Sequence, residues 1–459
     1  MLALLIRKEL LDQIRSLRFS MACIICPVVI LSSVFVLARD YRDAAMDYHT
    51  NLVMHDNQLE QIRFPHLLTQ NGYLVDTPLN PMKVFFSGVD VEHTATVRVS
   101  GVSAPEVQSD LELNPVALMF PVMDLTFVAA IIMSLLAIAF SYDAFSGERE
   151  SGTLKVLMSY SVPRDLLLLS KWIGGYLALV APFLLAVLLG LSVSLLFPDL
   201  DLSSQDWSSL LLALVGVLVY LSAVYALGLL VSARTSQAST SITVLLLVWV
   251  LMVLVYPNLA PYVAGLLEPA PSMQSMEAEK RRLQDEEQGR FIQGFTTWIE
   301  AAQKRGAPVS EILATYKEME SGMTERVRAG HGALDERFRT EMDEQIQLGR
   351  RIAMVSPAAL FTVTVCDLAG TGVQEKGHFR AVLGRYADQW LTWAYGKFNP
   401  DIYEGKAKLD VTDRPVFRYA PQGLGERLGE SAPDMLVLLV WNLVFLLLAH
   451  LALMRYDVR

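Results

Sequence analysis

Glu148-Arg149-Glu150 puts two carboxylates around a guanidinium, with Gly152-Thr153-Leu154 directly after it. Charges at this spacing can grip a neighbouring surface, but they supply no nucleophile with an adjacent base, so they point to docking instead of bond-making. Asp143 and Ser146 stand where helix caps would sit, and Gly152 permits a close turn. Leu154, Val156, Leu157 and Tyr160 offer apolar contacts before Pro163 marks a boundary ahead of Arg164 and Lys171. The expectation is a short surface helix with a charged rim that receives force from a soluble partner; the plain alternative is a stabilised loop.

A second charged run, Arg7, Lys8, Glu9, Arg15 and Arg18, lies near the start, with Ile6, Leu10, Ile14 and Leu17 on one helical face. Such a helix can lie in the membrane interface with its basic side near anionic lipid; the alternative is a simple extension of the apolar block that follows. Two polar residues sit inside apolar blocks. Asp124 must be interfacial, paired or turned to a polar cavity, so helix packing and a place on a translocation path are both open. Asn442 can join helices by hydrogen bonding. Other chemistry is thin. There is no Gly-x-x-x-x-Gly-Lys-Ser/Thr phosphate loop and no His-Glu-x-x-His, and the seven His residues form no compact pattern, so neither ATP hydrolysis by that device nor a metal site is expected in this chain. Cys23 and Cys26 lie within an apolar block and read as packing residues, while Cys366 has no cysteine partner on its side of the membrane.

The elements that must hold these groups follow from a composition that is 53% hydrophobic, with the apolar residues gathered in blocks. Blocks of about 20 residues match a hydrocarbon core about 30 Å thick. The expected fold is an α-helical integral membrane protein: six transmembrane helices and a mixed but mainly helical extracytoplasmic domain built from two insertions. In chain order it comprises an interfacial helix at 1–19, the first span at 20–38, an outside segment with a small sheet at 39–116, the second span at 119–140, and a cytosolic region at 141–171. There follow a third span at 172–197, a short outside loop at 198–207, spans at 210–231 and 241–260, a mainly helical outside segment at 261–433, the sixth span at 435–454, and a tail at 455–459.

Basic residues fall beside the same ends of the spans, whereas the loop with Asp199, Asp201 and Asp206 has none, so both termini are expected in the cytoplasm. A cleaved signal peptide is the rival reading of the first block, whose apolar stretch is longer than an ordinary signal core. Within the outside segments, Lys83–Phe86 and Thr94–Ser100 have strand character. Residues 272–353 should form packed helices shorter than a continuous coiled coil, broken at Gly306–Ser310 with Ser310 as a cap, and again near Gly330–Gly332. Residues 386–424 read as irregular, and Val355–Val365 is too short to span, hence a buried or membrane-grazing helix.

The run Glu148-Arg-Glu-Ser-Gly-Thr-Leu154, with Arg164 and Lys171 beyond it, resembles the permease subunits of ABC-2 type exporters, and so do Arg7-Lys8-Glu9-Leu10 and Arg15-Ser-Leu-Arg18 before the first span. Asn80–Gly88, Ser356–Ala359 and Leu368–Gly372 look like motifs of a subgroup with large outside insertions. The resemblance implies a permease paired with a second copy or a related permease, and with a separate nucleotide-binding ATPase that carries ATP and Mg2+; this chain itself would bind no cofactor. It further implies a multi-pass protein of the bacterial cytoplasmic (inner) membrane, with Glu148, Arg149, Glu150, Gly152, Thr153, Leu154 and Arg164 in the coupling region and the N-terminal helix adding contact surface. The rival is a membrane scaffold whose outside domain binds an envelope partner while the ATPase drives a mechanical change. Nucleic acid is not an expected partner, and an enzyme of the membrane or its outer face finds no supporting side-chain arrangement.

Overall fold

The computed structural model describes residues 1–88, 96–100, 106–108, 122–159 and 163–455. The expected start of the second span at 119–121, the strand residues Thr94 and Ala95, Val116, Tyr160 and the tail residues 456–459 lie outside the described residues. The protein is a helical membrane protein. Among the described residues six helical stretches have the length and apolarity to cross a bilayer: Leu17–Glu60, Leu125–Glu150, Arg164–Ser194, Ser204–Arg234, Ala238–Leu267 and Leu424–Met454.

Helix α1 (Leu2–Ile14) stops at Arg15, and Ser16 restarts the chain by accepting the Phe19 N–H at 3.3 Å, capping α2 (Leu17–Glu60). With 44 residues, α2 is about 66 Å long and runs on well past the Ala38 end of its apolar block. The chain then forms α3 (Pro65–Gln70), β1 (Tyr73–Asp76), β2 (Thr96–Val99) and β3 (Glu106–Gln108). The strands make one antiparallel sheet in the order β1-β2-β3, with Tyr73 opposite Val99 and Thr96 opposite Gln108.

The second span is assembled from α4 (Leu125–Phe127), a π-helical stretch Val128–Met133, α5 (Ser134–Ser141) and α6 (Ser146–Glu150), and α7 (Thr153–Ser159) follows it. Next come α8 (Arg164–Ser194), α9 (Ser204–Arg234), α10 (Ala238–Trp249), a second π-helical stretch Val250–Val255, and α11 (Tyr256–Leu267). The large insertion contains α12 (Met273–Lys304), α13 (Val309–Ala353), α14 (Pro357–Ala369), α15 (Val373–Gly396) and α16 (Pro400–Tyr403), and α17 (Leu424–Met454) closes the chain.

Two apolar cores form among the described residues. One lies in the bundle and joins α2, α5, α8, α9, α14 and α17. The other lies in a distal lobe, where Val75, Val97 and Val99 of the sheet meet Leu383, Trp390 and Leu391 of α15. Trp390 stacks on Tyr73 at 5.2 Å and its indole N–H donates to Leu68 O at 3.3 Å, so the two insertions share this core. The alternating Val97 and Val99 supply the inward face of β2, as a half-buried strand requires.

Helix α14 packs into the bundle beside α9. Phe361 stacks on Tyr220 at 4.4 Å, and Val365 packs against Gly216. Tyr220 lies about 24 Å along α9 from Ser204, near the helix's middle. α14 is almost wholly buried there: eleven of its thirteen residues are buried, which explains an apolar run too short to span.

Several expectations change. Lys83–Phe86 is no strand: Pro81–Val84 forms a 3-10 turn capped by Asn80, and the adjacent Phe85 and Phe86 are both buried, a pattern without the alternation a strand needs. α12 and α13 are long antiparallel helices of 32 and 45 residues instead of shorter packed pieces. α13 passes Gly330 and Gly332 unbroken, because α12 packs directly on Gly330 through Leu283. It starts at Val309 with Pro308 before it and no side-chain cap, so Ser310 lies inside the first turn and is not the cap. Helix α15 runs to Gly396, so Tyr386–Gly396 is helical and not irregular; its buried Tyr386, Trp390 and Ala394 stabilise it by packing.

Candidate functional site

Each charge of Glu148-Arg149-Glu150 reaches a different helix. Arg149 donates to Thr235 O at 2.8 Å and Ala233 O at 3.0 Å, the carbonyls that the end of α9 leaves without intrahelical partners. Glu150 accepts the Ala238 N–H at 3.1 Å, at the electropositive start of α10. Glu148 accepts from Lys171 of α8 at 2.7 Å. The backbone of the element is held as well, since the Phe145 and Ser146 N–H groups both donate to Ser232 Oγ at 3.0 Å.

Lys171 is the hub. Its side chain is 3% exposed and lies 3.3 and 3.4 Å from the Glu9 carboxylate oxygens as well as 2.7 Å from Glu148. A buried ammonium needs such partners, because desolvation otherwise costs several kcal/mol. Glu9 arrives on α1, which lies flat on α8: Gly174 has the Ile6 carbonyl and the Leu10 N–H against it, and a Cβ there would stand 2.9 Å from Glu9 Cβ. Lys8 adds contacts of 3.2 Å to Glu9, 3.6 Å to Asp12 and 4.0 Å to Glu148. Burial opposes the Lys8 charge, yet Glu9, Glu148 and Asp12 together raise its pKa above the ordinary lysine value.

Arg18 clamps Asp143 at 2.9 and 2.5 Å and accepts no part in the Lys171 hub; its guanidinium also lies over the Tyr142 ring, 4.7 Å from the centroid. Arg164 donates to the Leu453 and Met454 carbonyls at 2.8 Å each, joining the start of α8 to the end of α17. Arg7 and Arg15 are exposed. Gly152 holds φ +74° between α6 and α7, a turn that favours glycine. Thr153 donates to Glu148 O at 3.2 Å, and Leu154 is fully buried in the bundle core. Lys155 and Val156 face outward from α7.

Asp143 and Ser146 are not caps: Asp143 pairs with Arg18, and the Ser146 hydroxyl donates to Tyr142 O at 2.8 Å while Phe145 precedes α6. The expected apolar face of α1 also rotates. Ile6 and Leu10 turn toward α8, whereas Ile14, the last residue of α1, is exposed and Leu17, past the break at Arg15–Ser16, opens α2 in a new register and is exposed as well.

Asp124 and Asn442 lie elsewhere. Asp124 accepts the Ser87 N–H and hydroxyl at 2.9 Å each and the Phe127 N–H at 2.8 Å, capping the start of the second span at the end opposite α6. Asn442 accepts from Ser222 Oγ at 2.9 Å and donates to Val219 O at 2.8 Å, fastening α17 to α9. The motifs of the two insertions meet: Asn80 donates to Gly370 O at 2.8 Å, and Gly88 packs against Thr371.

Lys171, Ser232, Tyr142 and Gly174 escaped recognition as site residues. A lysine set between the Leu166–Leu169 run and the apolar block that opens at Trp172 was the available signal for Lys171; its partners are 162 and 23 positions away, out of reach of local spacing.

A bundle that holds, among the described residues, six helices long and apolar enough to cross a membrane, with charged short helices tied to the helix ends on one side and a large lobe on the other, defines a multi-pass membrane protein. A family model described as "ABC-2 family transporter protein" matches residues 3–458, so the chain belongs to the ABC-2 transporter family. It is similar to a probable ABC transporter permease protein NosY of Stutzerimonas stutzeri, 34% identical over 137 residues that make up 28% of this chain and 47% of that protein. A probable ABC transporter permease protein NosY of Pseudomonas aeruginosa is 35% identical over 147 residues, 29% of this chain and 49% of that protein. The chain spans about half the length of the curated relatives it matches.

Proposed function

We propose that the protein is the permease subunit of an ATP-driven ABC-2 exporter, moved by a separate ATPase that binds the α6–α7 element. ATP and Mg2+ belong to that partner, and a second permease copy, or a related permease, completes the membrane part. The observation that carries this reading is the anchoring of Glu148, Arg149 and Glu150 in α8, α9 and α10, with α1 joined through Glu9 and Lys171. A push on α7 is thereby distributed over four helices at once. Lys155 and Val156 are the outward groups such a partner would meet.

The same reading orients the chain. Arg7, Lys8, Arg15, Arg18, Arg149, Lys155, Arg164 and Lys171 gather at the end that carries α1 and α6, which favours a cytoplasmic position for that end and for both termini, in a bacterial inner membrane. The distal lobe then faces outward. Its shared core of two insertions also supports the second reading, a scaffold in which the lobe holds an envelope partner and the ATPase drives a mechanical change.

Glu148→Gln combined with Glu150→Gln removes the anchors to α8 and α10 while keeping side-chain volume. The expected result is normal membrane insertion with reduced ATPase co-purification, or ATP hydrolysis no longer linked to transport. Unchanged recovery of the complex together with unchanged ATP-dependent transport refutes the coupling role. Nucleotide-dependent movement of a defined substrate in reconstituted vesicles separates exporter from scaffold.

A further inference from the structure

Helix α13 is one uninterrupted helix of 45 residues, about 68 Å long, whose two ends stand in different surroundings. Its start belongs to the distal hairpin with α12. Its end is inside the bundle, where Ile352 O accepts the Tyr256 hydroxyl at 3.0 Å and Met354 O accepts the Trp441 indole N–H at 3.0 Å. Where α13 enters the bundle, the Arg350 guanidinium forks between two helices: Nη2 lies 2.7 Å from Asp367 of α14 and 2.8 Å from Asp434 of α17, and Nε donates to Asp434 at 3.0 Å. The arginine side chain is 16% exposed and the two carboxylates no more than 5%.

Apolar residues of similar volume would usually stabilise such a buried place as well or better, so stability alone is a weak reason for the cluster. A planar fork between two short carboxylates does something apolar packing does not: it fixes direction. The contacts also form a continuous chain. Arg149 holds the end of α9, Tyr220 of α9 stacks on Phe361 of α14, and α14 carries Asp367.

We propose that α13 is a lever with Arg350 at its fulcrum, converting movements of α14 and α17 within the bundle into a swing of the α12–α13 hairpin. This rests on the ATP-driven reading above. Arg350 acts as a positioning residue and touches no substrate. From Arg350 to Val309 the arm is about 62 Å, so a rotation of about 5° at the fulcrum moves the hairpin tip by about 5 Å.

The test uses the full chain in complex with its ATPase, in a Cys23→Ser background that removes the exposed native thiol. Spin labels at Leu247→Cys and Met454→Cys report on the bundle; labels at Leu196→Cys and Lys304→Cys report on the hairpin tip. Distances are measured by pulsed electron resonance without nucleotide and after trapping with ATP and orthovanadate. Both pairs should shift in the otherwise unaltered protein, the distal pair by about 5 Å. Arg350→Lys should preserve the bundle shift and reduce the distal shift by half or more. The triple change Arg350→Met, Asp367→Asn and Asp434→Asn removes all three charges together, so it keeps the fold where a single change would strand a buried charge, and it should likewise lose the distal shift. A distal pair that stays still while the bundle moves, or that shifts equally in all variants, overturns the lever. A bundle pair that ignores nucleotide overturns the ATP-driven reading and the lever with it.

Discussion

The two ends of the bundle use the same ingredients differently. At the basic end one lysine, Lys171, sits between Glu9 and Glu148; at the distal end one arginine, Arg350, sits between Asp367 and Asp434. Both clusters set a buried cation between two carboxylates drawn from different helices, and at the basic end Lys8 adds a second cation 3.2 Å from Glu9 and 4.0 Å from Glu148. Lysine is a point charge on a flexible stem, and glutamate adds another methylene, so the basic cluster tolerates sliding between α1, α6 and α8. Arginine between two aspartates is a stiff fork and tolerates little. The same kind of ion cluster therefore holds its helices loosely where lysine and glutamate build it and at a fixed angle where arginine and aspartate do.

The largest expected effect breaks the first cluster. Lys171→Ala leaves the half-buried Glu9 and Glu148 with Lys8 alone to share and should cost about 3 kcal/mol, the low end for breaking a buried pair, read as a lowered Tm in detergent and release of α1 in protease-accessibility assays. Next, the contrast is sharpened by a buried carboxylate that lacks a cation. Glu320 of α13 accepts from Thr69 at 3.1 Å and Tyr316 at 3.3 Å beside the Tyr395 and Tyr403 phenols, and burial pushes its pKa up to about 7 despite those hydrogen bonds. The folded lobe thus holds a proton that the unfolded chain releases near its ordinary value of 4.5. Stability of the lobe should be fully present below that value, fall as pH rises toward about 7, and level off above it, by at most about 3 kcal/mol. Hydrogen exchange at α3 across this range measures it, and Glu320→Gln should flatten the profile.

A smaller effect tests the stiffness contrast. Arg350→Lys keeps the charge but loses part of the fork and should cost about 1.5–3 kcal/mol in thermal unfolding, the range of a hydrogen bond to a charged group. Gly174→Val forces α1 away from α8 and should cost about 1–3 kcal/mol by overpacking, with weaker ATPase recovery as the functional readout. Least of all, Asn442→Ala removes a hydrogen-bonded link between α17 and α9 outside both clusters and should cost about 0.6–1.7 kcal/mol.

Much of the membrane part was legible because its cause is local. A block of apolar residues long enough to cross hydrocarbon must be a helix, since only a helix satisfies its own backbone there. The turn at Gly152 and the boundary at Pro163 were equally readable from single residues. The distal lobe was less legible. Lys83–Phe86 has strand composition yet forms a turn packed into the bundle, because Asn80 and Pro81 act locally while Phe85 and Phe86 find partners far away in the chain. Gly330 and Gly332 read as an interruption because the packing of Leu283 against Gly330 is invisible in the chain around them.

By itself, the sequence determined the helical class, the membrane location of the apolar blocks and the segment that carries the charged element, since hydrophobic length, proline and glycine act on the nearest residues. Only the tertiary structure decided what those charges hold. It took Arg149 to the end of α9, Glu150 to the start of α10, and Lys171 to carboxylates on two other helices, and it sent α14 back into the bundle with Arg350 locked at its mouth. The physical reason is that a charge beside a membrane bundle is satisfied by whichever helix end or carboxylate folding brings within about 3 Å, and spacing along the chain carries no record of that distance.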